Sequence, residues 1–144
     1  MTVHLLDVNV LIALLDPDHV HHERAHRWFA AVGQSAWATC PITECAVPRI
    51  LGHPRYPNAR GVPATIVPYL RDLCAHPGHV FWPDDISILE PKHVDASRLL
   101  DYGQVTDSYL LAVAVARQGM LATFDRRLVA DAVPSGKHHL LVIE

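Results

Sequence analysis

The feature that most constrains this chain is a rhythm of strand-length apolar runs separated by helix-length stretches. Residues 3–6, 36–39, 79–82, 120–124 and 139–143 are short and apolar, too short for helices and bounded by turn formers, so each reads as a buried strand. Between them the apolar spacing turns helical. One helix runs from Asn9 to Leu15 and stops at Asp16-Pro17; others span 19–32, 41–51, 64–75, 91–102, 107–118 and 125–132. Pro41 suits a first helical turn, Thr106 reads as the cap of the sixth helix and Gly119 as its stop. Strands alternating with helices predict an α/β fold, a sandwich of helices over both faces of a central, mainly parallel sheet of four to five short strands. Residues 52–63, rich in Pro, Gly and Asn, read as a loop. No linker or repeat divides the 144 residues, so one domain over 1–144 is expected.

Composition narrows the function. Hydrophobic residues make up 50% of the chain and the net charge is −3. Disorder is therefore excluded, and so is a basic protein that coats nucleic acid by charge alone. Cys40, Cys45 and Cys74 form no C-x-x-C pair and read as small buried thiols in a reducing compartment. The apolar start lacks a basic flank and is interrupted by Asp7 and Asn9, so neither a signal peptide nor a membrane helix is expected, and the location reads as cytoplasmic.

Ligands of open parallel sheets bind beyond the carboxyl ends of the strands. Asp7 follows the first strand and Asp125 the fourth, while Glu44 and Asp107 lie in first turns of helices. Taken singly, each acid could serve only the helix dipole, a contribution of about 0.3–1 kcal/mol. Together, four carboxylates at one edge would repel one another, and a hard divalent cation such as Mg²⁺ or Mn²⁺ would resolve that conflict.

The stretch Leu5-Leu6-Asp7-Val8-Asn9-Val10-Leu11-Ile12-Ala13-Leu14 resembles the opening of PIN-domain nucleases. Thr43-Glu44, the run from Val105 to Ala114 containing Thr106-Asp107-Ser108, and Ala122-Thr123-Phe124-Asp125 resemble the other three motifs, in order. The similarity spans the chain and is greatest to VapC-type toxins, the ribonuclease half of bacterial toxin–antitoxin pairs. It implies a PIN-like α/β/α fold and an endoribonuclease dependent on Mg²⁺ or Mn²⁺. It assigns Asp7 and Asp107 as principal metal-holding acids, Glu44 as the second acid, Asp125 as the fourth, and Asn9 and Thr123 as polar neighbours that orient them. It further implies an RNA substrate, a small VapB-like antitoxin whose tail occupies the groove, and a homodimer, for which the 91–102 helix is one candidate face.

Ten of the twelve basic residues are arginine, the side chain best shaped for bidentate phosphate contact. Arg49, Arg55 and Arg60, with His53 and Tyr56, surround the 52–63 loop, and Arg126 and Arg127 follow Asp125. These two groups are the candidate RNA clamps, with Tyr56 placed to stack on a base. His22-Glu23-Arg24-Ala25-His26 formally matches H-E-x-x-H, but a zinc hydrolase needs a third ligand beside a cleft, and the helix reads as a packing element with its histidines toward water. A non-catalytic nucleic-acid-binding module is disfavoured by the intact acid set, which repels phosphate unless a cation bridges them. An aspartate-nucleophile phosphatase needs an acid where Asn9 stands. A receiver domain would rest on Asp84-Asp85 and a weakly placed Lys137.

Overall fold

The computed structural model describes residues 1–59 and 61–144; Arg60, one of the expected RNA contacts, lies outside the described residues. Five strands, β1 (His4–Leu6), β2 (Trp37–Thr39), β3 (His79–Phe81), β4 (Met120–Thr123) and β5 (Leu140–Val142), form one sheet in the order β3-β2-β1-β4-β5. Every pairing is parallel, with Leu5 opposite Ala38 and Leu121 and Leu6 opposite Ala122. The helices are α1 (Val8–Leu15), α2 (His22–Ala31), α3 (Pro41–Leu51), α4 (Pro63–Cys74) and α5 (Gln104–Ala116).

Alternation along the strands sorts the helices into two layers, because successive side chains leave a strand on opposite faces. Leu6, Trp37 and Ala122 pack with Val10, Leu11, Phe29, Val47, Leu51, Ile66 and Leu70 of α1 to α4. Leu5, Ala38 and Leu121 pack with Leu110, Leu111, Val113 and Ala114 of α5 on the other face. A sheet covered on both sides explains why its strands read as continuous apolar runs.

Local chemistry sets the element ends. Pro41 and Pro63 occupy first helical turns, where the missing N–H costs nothing. Gly119 is required by packing: a Cβ there would meet the Val3 carbonyl oxygen at 2.5 Å and the Trp82 ring at 2.7 Å. The left-handed residue that ends α5 is its neighbour Gln118, at φ 57°.

Three expectations are corrected. Residues 91–102 form turns around a single 3₁₀ turn, Ala96–Arg98. Asp95 there accepts from Ser97 N and Oγ, and Asp101 accepts from Gly103 N, local bonds that compete with a helix; the face suggested for dimerisation thereby loses its helix. Residues 125–132 form no helix either, since Asp125 Oδ1 takes the Arg127 N–H at 2.8 Å in a tight turn. Helix α5 begins at Gln104 rather than after a Thr106 cap, because Gln104 Oε1 reaches back to the Leu100 and Asp101 N–H groups.

Candidate active site

The chain leaves β1 toward β2 and β3 on one side and later returns to build β4 and β5 on the other. The carboxyl ends of β1 and β4 are therefore the switch point of the sheet, where a crevice for ligands opens. Asp7 follows β1 and Asp125 follows β4 by one intervening residue.

A small network of hydrogen bonds holds both acids. Asp7 caps α1 by accepting from Val8 N at 2.7 Å through Oδ1, while its Oδ2 accepts from Thr123 Oγ1 at 2.8 Å. Thr123 Oγ1 accepts in turn from Asp125 N at 3.0 Å and from Asn9 Nδ2 at 3.0 Å. Asn9 Oδ1 accepts from Phe124 N at 3.1 Å. The fully buried Thr123 hydroxyl thus ties the end of β4 to the acid at the end of β1.

The third aspartate comes from the opposite layer. Asp107, half-buried in α5, has its carboxyl pushed up to about 6 by burial first and then by the charges of Asp7 and Asp125. Asp7, only 7% exposed, is also raised: burial dominates and Asp125 adds to it, against the bonds from Thr123 and Val8. Both perturbations report three carboxylates sharing one electrostatic environment. Among the described residues the side-chain ion pairs are Arg98–Asp95 and Arg117–Asp85, and neither reaches this group.

Glu44 is held differently. Its Oε2 accepts from Thr39 Oγ1 at 2.6 Å, and its ligand atom lies within 4.8 Å of those of Cys74 and His79. Among the described residues that is the one group of three or more such donors so tightly gathered; the three aspartates are coupled by charge without being gathered that closely. The structure therefore brings Asp7, Asp107 and Asp125 together, and the contacts it shows for Glu44 are with Thr39 instead.

The arginines divide too. Arg126 and Arg127 line a cleft of about 520 Å³ beside Asp125, together with His21, Arg24 and Phe124. His21 stacks on the Phe124 ring at 4.8 Å and the Arg24 guanidinium lies 5.0 Å from the same ring while donating to His21 Nδ1. His21 and Arg24 are cleft residues that the sequence reading missed; the signal was the His/Arg-rich start of α2, whose histidines were read only as turned toward water. Arg49 and Arg55 line a separate depression with His53, Tyr56 and Pro57. The half-buried Tyr56 donates its hydroxyl to Asp16, which is fully buried and also accepts from Asn58 Nδ2.

Of the α2 histidines, expected toward water, His26 is exposed and His22 half-buried, and each also spends one ring nitrogen on α1. His22 Nδ1 donates to the Ala13 carbonyl at 2.7 Å and His26 Nε2 to the Leu14 carbonyl at 2.8 Å, satisfying the last turn of α1. Each ring keeps its second nitrogen, but among the described residues no group of three metal donors includes His22, Glu23 or His26, which leaves the zinc hydrolase built on them without a third ligand. Of the thiols, Cys40 alone is buried; Cys74 is half-buried and Cys45 exposed.

Residues 4–132 match the PIN domain family. Ribonuclease VapC44 of Mycobacterium tuberculosis is 46% identical across 96% of this chain and 98% of its own length. The chain belongs to the PIN-domain family, in its VapC-type ribonuclease branch. Two further members of that branch from the same organism align as extensively: Ribonuclease VapC39 at 41% identity over 92% of this chain and 94% of its own, and Ribonuclease VapC38 at 42% over 84% of each. The five-stranded parallel sheet of this VapC-type chain, with helices on both faces, is the α/β/α arrangement expected of a PIN domain.

Proposed function

We propose that this chain is a divalent-cation-dependent endoribonuclease that hydrolyses RNA phosphodiester bonds as the toxin of a type II toxin–antitoxin pair. The observation that carries the catalytic part is the coupling of Asp7, Asp107 and Asp125 at the switch point, with the Asp107 carboxyl held up to about 6. The ribonuclease names of its relatives support the same activity.

The donor set fits a hard cation. It consists of carboxylate oxygens that form no ion pair with a side chain among the described residues, which suits Mg²⁺ or Mn²⁺. When bound, such an ion would lower the pKa of an attacking water and offset charge building on the phosphate. Asp7, fixed through both oxygens by Val8, Thr123 and Asn9, presents its charge without reorganising. Asp107 faces it from α5, and Asp125 is oriented by the Thr123 bond to its N–H. Glu44 would complete the acid set on release of its Thr39 bond. The exposed Arg126 and Arg127, with Arg24 and His21, offer positive charge and a stacked ring beside Asp125, a local means for an acidic protein to hold a polyanion. Arg49, Arg55 and Arg60 would extend that contact along the strand.

A VapB-like antitoxin that places a cationic side chain among the aspartates would silence such a site by charge. A homodimer and a cytoplasmic location complete the proposal; among the described residues no helix is long and apolar enough to cross a membrane. The test is incubation of the purified protein with total RNA, with and without Mg²⁺ or Mn²⁺, beside Asp7→Ala. Cation-dependent fragments from the wild type alone are expected. Cleavage that survives both chelator and Asp7→Ala would overturn the reading.

A further inference from the structure

We propose that Glu44, Cys74 and His79, gathered around the Thr39 hydroxyl, form a second cation site, selective for a borderline-soft divalent ion such as Zn²⁺ and separate from the aspartate group. The three residues come from three elements: the first turn of α3, the last residue of α4 and the first residue of β3. Their donor atoms nevertheless all lie within 4.8 Å of one another, and each residue is half-buried.

The Thr39 hydroxyl shows where they aim. Thr39 Oγ1 lies 2.6 Å from Glu44 Oε2 and 2.7 Å from His79 Nε2, and Cys74 Sγ lies within 4.8 Å of the donor atoms of both residues. Thr39 itself is fully buried, so the focus has a floor closed to water. A hydroxyl carries one proton; with that proton given to Glu44, His79 Nε2 must donate to the hydroxyl. Zn²⁺ takes imidazole nitrogen and carboxylate oxygen at about 2.0–2.2 Å and thiolate sulfur at about 2.3 Å. Bonds of that length at tetrahedral angles put ligand atoms roughly 3.3–3.8 Å apart, a spacing within reach of three donors that all lie within 4.8 Å of one another; Glu44 and His79 would exchange their bonds to the hydroxyl for the ion, with water or the hydroxyl as fourth ligand.

The donor chemistry selects the ion. One sulfur, one nitrogen and one oxygen suit Zn²⁺ and disfavour Mg²⁺, which demands oxygen. On binding, the Cys74 thiol releases its proton to solvent as the sulfur–metal bond forms, and His79 moves its proton from Nε2 to Nδ1 through solvent. The His79 ring is already oriented by contact with Trp37, centroids 4.7 Å apart. An ion here would staple the edge strand β3 to α3 and α4 and, by holding Glu44 on the Thr39 side, would keep it from joining the aspartates as proposed above.

Cobalt(II) is the probe, added to chelator-stripped full-length protein. One equivalent is expected to produce a thiolate-to-cobalt charge-transfer band, bleached by one equivalent of Zn²⁺. Cys74→Ser should lose the band, and His79→Gln should weaken cobalt binding at least tenfold. Cys45→Ser, which removes the exposed thiol, should leave both intact, as should Asp7→Asn, because cobalt among aspartates has no sulfur ligand. A wild type without the band, a band that persists in Cys74→Ser or disappears in Cys45→Ser, or unweakened binding by His79→Gln would each overturn the proposal. Should Cys74→Ser fail to fold by circular dichroism, the His79→Gln titration decides. The readout is independent of RNA cleavage, so failure of the nuclease reading would leave it standing.

Discussion

Replacing Asp107 by Asn should make the cation-free protein more stable while destroying its activity. Asp107 has its proton affinity raised from an ordinary 3.8 to about 6 by burial and by Asp7 and Asp125. At about 1.4 kcal/mol for each tenfold change in affinity, that corresponds to roughly 3 kcal/mol of penalty on the ionised form. The side chain is only half-buried, so solvent screening reduces the net effect to about 1–2 kcal/mol. The sign follows from linkage. A carboxyl whose folded-state pKa is raised favours the folded state most below pH 3.8, where it is protonated in both states, and that advantage is lost as pH climbs to about 6. The neutral, nearly isosteric Asn escapes the loss. In chelator at pH 7.5, thermal unfolding followed by circular dichroism should show Asp107→Asn melting about 3–6 °C above the wild type. At pH 4 the two should melt together. Mg²⁺ or Mn²⁺ should raise the wild-type Tm, by up to about 3 kcal/mol of linkage at a hundredfold excess over Kd, and should leave the variant nearly unmoved. A variant less stable than the wild type at pH 7.5, or an advantage that persists at pH 4, would refute the claim that crowded charge is the dominant strain in this site.

Asp7→Asn should abolish RNA cleavage, measured by gel at saturating Mg²⁺, since Asp7 is the most buried acid of the group and the one its neighbours hold at both oxygens. Thr123→Val removes the bond to Asp7 and the acceptor for Asp125 N; activity should fall about 10–100-fold, with part of the loss recovered at high cation concentration. Arg126→Ala combined with Arg127→Ala should raise KM for RNA and flatten its salt dependence while changing kcat little, as expected of phosphate contacts that carry no chemistry. Tyr56→Phe should cost about 1–3 kcal/mol in urea unfolding, because it strips a donor from the buried Asp16, and it should leave cleavage per folded molecule unchanged.

The fold was largely legible in the chain. Five strand-length runs became five strands, and α1, α3 and α4 lie within about a residue of their expected bounds, because burial on both faces of a parallel sheet writes itself as uninterrupted apolar sequence. The failures at 91–102 and 125–132 have a common cause. In both segments Asp95, Asp101 or Asp125 turns back onto a nearby N–H or hydroxyl, an interaction that apolar periodicity does not register. The candidate site was legible in part: Asp7 and Asp125 stand out as acids just past strand ends, the family resemblance adds Asn9 and Thr123, and the structure links the four by hydrogen bonds.

Residue order alone determined the class of fold, the strand-end acids and the two arginines after Asp125, since each depends on periodicity or on position along the chain. Tertiary structure decided which groups share an environment. It coupled Asp107 to Asp7 across two layers, drew Glu44 to Thr39 beside Cys74 and His79, committed His22 and His26 to the end of α1, and turned Tyr56 onto Asp16. Those outcomes depend on which hydrogen-bonding or charged group comes within about 3–5 Å of another from a distant part of the chain, and sequence spacing carries no measure of that distance.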